Sequence, residues 1–287
     1  MKTKSIVILI IVLVVIGIVA MYLYDQAAEQ PVATPVAVTE SQTETRPPAA
    51  EKEVEAPRPG IPRDDAPEPP VLEELPLPAL ADSDGYARET LSEVVGEASA
   101  SQYFATDGLV ARVVATIDAM SSRKVPGNIQ VVTGPEGEYS ALPDPAPARQ
   151  ILDEAGDPIP QYQSDPVNAE RYRPYVEMLE AVDAAEFASM YERNAPLFGH
   201  AWRQLGYTDK MFDQRLVEVI DELLATPEVS EPYQLIKPEA YYVFADENLE
   251  RLTAGQKILL RMGADNAQRV KDKLREIRQA LDVTSEE

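Results

Sequence analysis

An uninterrupted apolar run near the N-terminus constrains the chain more than any other feature. Residues 5–24 carry no charge, and the stretch from Ile6 to Leu23 would extend about 27 Å as a helix. That length is close to the thickness of the hydrocarbon core of a bilayer. Two lysines precede the run and an aspartate follows it, so the positive-inside rule keeps the N-terminus in the cytoplasm. The sequence predicts a cytoplasmic tip at residues 1–4 and a transmembrane anchor at 5–24.

A cleaved signal peptide is the competing interpretation of this run. Signal peptides have a shorter apolar region, about 7–15 residues, followed by a site of small residues at which the peptidase cuts. Here the apolar run is longer, and Ala27-Ala28 is the best site that follows it. We therefore expect an uncleaved anchor.

Residues 25–79 have the composition of a disordered linker. They are rich in proline and acidic residues, and no aromatic residue occurs between Tyr24 and Tyr86. Such a segment buries too little apolar surface to offset the entropy lost on ordering. The sequence therefore predicts a spacer at 25–79 that separates the anchor from an exported domain at 80–287.

The charge of the chain excludes one class of partner and is unevenly distributed. The net charge is −23, which argues against nucleic acid because phosphates require a basic face. Residues 251–281 are the exception, with eight basic residues against three acidic ones. The sequence contains no cysteine, which excludes disulfides, thiolate nucleophiles and cysteine-based metal sites.

Helical periodicity dominates the exported domain. Apolar residues recur at helical spacing in most segments after Leu80, and capping boxes begin at Asp183 and Thr253. Residues 123–164 are less regular, and 233–244 allow two short strands or a helix. The sequence predicts an all-α, bundle-like domain of about eight helices, with room for one short hairpin.

A set of short motifs between residues 172 and 281 resembles an uncharacterised bacterial family, domain of unknown function 3014. The motifs include Leu205-Gly206-Tyr207, Phe212-Asp213-Gln214-Arg215-Leu216, Phe244-Ala245-Asp246, Ala254-Gly255-Gln256-Lys257 and Leu260-Arg261-Met262-Gly263. The family pattern usually has asparagine where Gln214 stands. The resemblance implies a protein of the Gram-negative envelope with an anchor and a linker. It implies no activity, because the family carries none, and so it transfers no catalytic residue.

One group of acidic residues is a candidate for catalysis. Glu218, Asp221 and Glu222 are acids at helical spacing, and a glycosidase needs two carboxyl groups about 5–9 Å apart. Arg215 lies three residues before Glu218, which favours a helix-stabilising ion-pair cluster instead. His200 is the only histidine, so no metal site and no cofactor are expected.

The basic C-terminal segment is the stronger candidate for a site. Two predicted helix N-termini, at Thr253 and near Gly263, present free amide groups, and bases nearby would favour an anion. The alternative is that the glycines end helices and that the bases pair with acids of the domain itself. The candidate anion- or partner-binding residues are Gly255, Gln256, Lys257, Arg261, Gly263, Arg269, Lys271 and Arg275.

The function predicted from the sequence is a non-enzymatic interaction module of the periplasm. The membrane would hold it through residues 5–24, and its partner would be an envelope protein or a cell-wall component. The alternative is a periplasmic hydrolase that acts on a cell-wall substrate through aspartate or glutamate.

Overall fold

The computed structural model describes residues 77–284, except residues 136, 148, 154, 239 and 240. The predicted cytoplasmic tip, the predicted anchor at 5–24 and the linker up to residue 76 lie outside the described residues. Across the described part of the chain, no helix combines the length and the apolar character that crossing a bilayer requires.

Most of the described chain is helical, as the periodicity predicts. Between residues 77 and 284, leaving aside the five undescribed positions, nine α-helices follow one another. Their bounds are α1 Ser83–Val95, α2 Glu97–Tyr103, α3 Leu109–Met120, α4 Val167–Glu180, α5 Ala184–Gln204, α6 Phe212–Leu224, α7 Glu247–Glu250, α8 Ala254–Arg261 and α9 Ala264–Thr284. Short 3₁₀ turns occupy Leu80–Asp82 and Gly127–Ile129.

Two helices organise the core. The C-terminal helix α9 packs against α4, α5 and α6, and α3 packs against α1, α5 and α6. Each of these helices carries an apolar stripe, and the stripes meet at fully buried side chains such as Phe187, Leu216, Ile220, Leu274 and Ile277. Burying such a side chain stabilises the fold by about 1.5–3 kcal/mol relative to leaving it exposed.

Local capping signals in the sequence correspond to real helix starts. The Asp183 carboxylate accepts a hydrogen bond from the Glu186 amide at 2.9 Å where α5 begins. Thr253 and Gln256 form the predicted capping box at the start of α8. These interactions satisfy amide groups that the first turn of a helix leaves without partners.

A four-stranded antiparallel sheet lies beside the helices. Its strands follow the order β1-β2-β3-β4, with bounds Ala141–Pro143, Gln161–Ser164, Gln234–Ile236 and Val243–Phe244. In the register of the sheet Leu142 faces Gln163, Tyr162 faces Leu235, and Leu235 faces Phe244. A second cluster of buried side chains, which includes Leu260 of α8, joins the sheet to the helices.

The predicted all-α class is therefore wrong, because the described domain combines helices with a sheet. The hairpin that the sequence allowed at 233–244 forms as β3 and β4. Its strand β3 pairs with β2, and β2 pairs with β1, so two strands from the irregular segment 123–164 complete the sheet. Each strand is two to four residues long, too short to show the alternation that identifies a strand in a sequence.

Candidate functional site

A loop between α6 and β3 divides the surface where the C-terminal helix begins. This loop, Thr226–Tyr233, is named the cleft loop. At its first residue the Thr226 hydroxyl donates to the Leu223 carbonyl at 2.7 Å. At its last residue the Tyr233 amide donates to the Ser164 hydroxyl at 3.1 Å. Both ends of the loop are thereby held, one by α6 and the other by the sheet.

The middle of the cleft loop is bonded to the start of α9. The Glu231 carboxylate accepts a hydrogen bond from the Ala264 amide at 3.0 Å. A carboxylate at this position is favourable because the first amides of a helix carry partial positive charge. The Ala264 amide therefore already has an anionic partner within the protein.

Two cavities lie on opposite sides of the cleft loop, and both are lined in part by Glu231, Tyr233 and Ala264. The first has a volume of about 500 Å³, and the remainder of its wall comes from the cleft loop, α8 and α9. The second has a volume of about 340 Å³ and lies towards the start of α4. Volumes of this order suit small ligands or single side chains of a partner.

Lys271 of α9 lines the first cavity, and it is a buried cation. It is only 6% exposed, and its ammonium donates a hydrogen bond to the Thr226 carbonyl. Burial lowers the pKa of Lys271, whereas the charge of Glu228 acts in the opposite direction and that of Arg275 adds to the effect. Leu259, Leu260 and Ala267 supply apolar wall near this charge.

The second cavity is lined by three arginines that already have partners. Arg173 pairs with Glu170 of the same helix. Arg261 is 3% exposed, donates to the Tyr242 carbonyl at 2.8 Å, and lies over the rings of Tyr139 and Phe244. Arg269 donates to both carboxylate oxygens of Glu180, at 2.9 and 2.6 Å. The domain's own carboxylate therefore occupies the donors of Arg269 that would hold an anion in a fork.

Three further predicted site residues lie in α8, and each of them packs against or bonds to other parts of the protein. A Cβ atom added at Gly255 would lie 2.7 Å from Leu223 Cδ2, so glycine is needed for close packing. The side-chain amide of Gln256 caps its own helix, and its nitrogen also donates a hydrogen bond to the Glu222 carbonyl at 3.0 Å. The Lys257 ammonium forms a 2.7 Å ion pair with Glu250, and its side chain is 6% exposed.

The remaining predicted residues are Gly263 and Arg275. Gly263 adopts a φ of +92° between α8 and α9 and lines the second cavity. Arg275 pairs with Asp272 on the exposed side of α9 and is not part of either cavity wall. The structure thus brings Arg261, Gly263 and Arg269 together and places Lys271 across the cleft loop from them.

The cleft loop is the part of the candidate site that the sequence analysis did not predict. It contributes Glu228, Glu231 and Tyr233 to the cavity walls. Pro227 and Pro232 bracket this polar segment. That pair of prolines is a signal for a rigid connection rather than a helix, and it could have identified the loop.

Two of the three carboxylates of the hydrolase alternative, those of Glu218 and Asp221, are held in ion pairs. Glu218 accepts from Lys210 at 3.0 Å and from Arg215 at 3.4 Å, and these bonds hold the pKa of Glu218 below its usual range. Asp221 pairs with Arg278 at 3.1 Å. The predicted Arg215–Glu218 pair is confirmed. A general acid needs a raised pKa, which is the opposite of what Glu218 has.

His200 lies exposed on α5. Within the range that the structure describes, no group of three or more His, Cys, Asp or Glu side chains is placed to hold a metal ion.

Fold and site together define a helical α+β domain with a small antiparallel sheet and a two-sided cleft at the start of its last helix. The family described as "Protein of unknown function (DUF3014)" matches residues 109–278. The chain belongs to this family, and the resemblance predicted from the sequence motifs is confirmed. No curated protein and no solved structure matches the chain.

Proposed function

We propose that this protein is a binding module of the bacterial envelope, tethered to the inner membrane by residues 5–24 with its folded domain in the periplasm. One observation carries the binding role: cavities on both sides of the cleft loop are each lined by a buried cation, Lys271 on one side and Arg261 on the other. The apolar run, with lysines before it and acids after it, supports the tether and its orientation.

The cleft would recognise its partner at short range. Residues 83–287 carry a net charge of −16, so the long-range field of the domain repels an anionic partner. Charges separated by more than about 8–10 Å are also screened at physiological ionic strength, whereas buried charges are screened much less. An acidic group would therefore be held by contacts inside the cleft, where the cations are buried.

Crosslinking in intact cells tests the partner role. Gln268 is exposed and lines the first cavity, so a photoreactive residue can replace it without disturbing the core. Lys257 and Arg261 are unsuitable positions because both are buried. Gln279 provides the matched control: it is an exposed glutamine of the same helix, about three turns further on and away from the cavities.

We expect a photoreactive group at position 268 to give one dominant crosslinked product, either a protein or a cell-wall fragment, that is identified by mass spectrometry. The same group at position 279 should not give this product. Equal products at both positions, or none at position 268, would contradict a partner site at the cleft.

A further inference from the structure

The ammonium of Lys271 has hydrogen-bonding capacity that the protein does not use. A lysine ammonium carries three N–H donors. Among the residues that the structure describes, Lys271 bonds only to the Thr226 carbonyl. The residue is nevertheless only 6% exposed, and it lies in the wall of the 500 Å³ cavity. Two donors are therefore left for a group that enters the cavity.

One buried and one half-buried lysine, Lys257 and Lys273, show which partners the domain otherwise gives to such a charge. Lys257 pairs with the Glu250 carboxylate at 2.7 Å. Lys273, two residues from Lys271 on the same helix, pairs with Glu276 and also donates to the Val182 carbonyl. Burying a charge is unfavourable unless it is paired and hydrogen-bonded. Lys271 has no carboxylate partner in the described residues, so its burial does not serve an internal ion pair.

The two acidic residues of the first cavity do not act as the missing carboxylate partner of Lys271. Glu231 is exposed and accepts the Ala264 amide at the start of α9. Glu228 is also exposed, and it acts on Lys271 through its charge without forming an ion pair with it. They do restrict what the cavity can accept, because two carboxylates beside one ammonium repel a ligand with two negative charges.

We propose that the first cavity binds a monoanionic carboxylate, with the Lys271 ammonium as its hydrogen-bond donor. The wall of Leu259, Leu260 and Ala267 fits a small apolar group next to that carboxylate, as at the C-terminus of a peptide. A phosphate is disfavoured by the acids on the rim, one of which already accepts the Ala264 amide. The inference rests on the proposed binding role and names the chemical group that the cleft recognises.

The test compares a carboxylate with the matching amide on the full-length protein in detergent micelles. The probe is N-acetyl-alanyl-alanine, and its C-terminal amide is the neutral control. Saturation-transfer NMR measures binding of each to the wild-type protein, so this step does not depend on any variant folding. We expect the carboxylate to bind at least about tenfold more tightly than the amide, because a buried ammonium left without its anion is unfavourable. Equal binding of the two, or no binding of the carboxylate, would overturn the proposal.

Two variants assign the effect to one side chain. Lys271→Met removes the charge and keeps the length of the chain, and it should abolish the preference for carboxylate over amide. Lys273→Met is the matched control, since this lysine is not part of either cavity wall, and it should retain the preference. A Lys271→Met protein that still prefers the carboxylate would overturn the assignment. Displacement of the probe by an equal concentration of inorganic phosphate would overturn the restriction to monoanions.

The outcome separates this inference from the proposed function. If a partner is crosslinked through position 268 but the protein does not prefer the carboxylate probe, the proposed binding module is supported and the carboxylate site is refuted. If the protein prefers the carboxylate probe through Lys271 but no partner is crosslinked, the ligand site is supported and the partner role is refuted.

Discussion

The ion pair between Lys257 and Glu250 gives a quantitative test of whether the basic C-terminal segment is structural. The two charges are 2.7 Å apart, with the lysine side chain 6% exposed and the glutamate side chain 33% exposed. Glu250 also accepts the Phe244 amide at 3.0 Å. At an effective dielectric constant of about 20, the Coulomb attraction at this distance is about 6 kcal/mol, most of which the desolvation of the two charges offsets.

Removing one partner leaves the other charge buried and unpaired, which costs about 3–5 kcal/mol in comparable cases. Because Glu250 is partly exposed, we expect Glu250→Gln to lower the free energy of unfolding by about 3 kcal/mol. Lys257→Met should have a smaller effect, since the remaining glutamate can reach water. The double variant should therefore be less destabilised than the sum of the two single variants, by at least about 1 kcal/mol.

Urea unfolding followed by circular dichroism measures this cycle. Glu247→Gln is the matched control, because its pair with Arg251 spans one turn and both side chains are largely exposed, at 80% and 63%. Exposed ion pairs contribute little to the free energy of unfolding, so the control should leave the unfolding midpoint nearly unchanged. A coupling below about 0.5 kcal/mol between Lys257 and Glu250 would refute the structural reading and leave Lys257 available to a partner.

Three further substitutions test the conformation at two glycines and the contribution of one ion pair to stability. Gly263→Ala should destabilise the domain by about 1–2 kcal/mol in urea unfolding, because φ is +92° and the new Cβ would lie 3.0 Å from that of Ala169. Gly199→Ala should instead stabilise it by up to about 1 kcal/mol, since the nearest atom, on a flexible arginine, is 3.6 Å away within a helix; a loss of stability would contradict this. The Arg269 hydrogen bond holds the pKa of Glu180 below its usual range, so the pair stabilises the fold at neutral pH and loses its effect as pH falls through the lowered pKa. Arg269→Met should accordingly lower the unfolding midpoint most at pH 7 and progressively less as the pH falls into the acid range, and an equal deficit throughout would contradict the pairing.

The helices could be predicted because their signals are local. In α6 the apolar residues Phe212, Leu216, Val219, Ile220 and Leu223 repeat at helical spacing, and all five are buried. The capping box at the start of α8 is likewise contained within four residues.

The sheet could not be predicted because its pairing is not local. Strand β2 ends at Ser164 and its partner β3 begins at Gln234, with three helices between them in the sequence. Strands of two to four residues contain at most two full periods of side-chain alternation, so periodicity cannot separate them from loops. Their stability comes from packing on Leu260 and its neighbours, which only the folded structure brings together.

The same distinction between local and long-range contacts decides which basic residues of the C-terminal segment remain candidates for a binding site. The sequence shows eight bases between residues 251 and 281, but the acids that neutralise several of them come from distant elements, such as Glu180 for Arg269 and Asp221 for Arg278. An excess of positive charge in one segment therefore does not produce an exposed basic face. What distinguishes Lys271 is a property that composition cannot show: it is buried like Lys257, yet no described carboxylate pairs with it. Because an unpaired buried charge opposes folding, its presence in a cavity wall is explained best by a ligand that completes the pair.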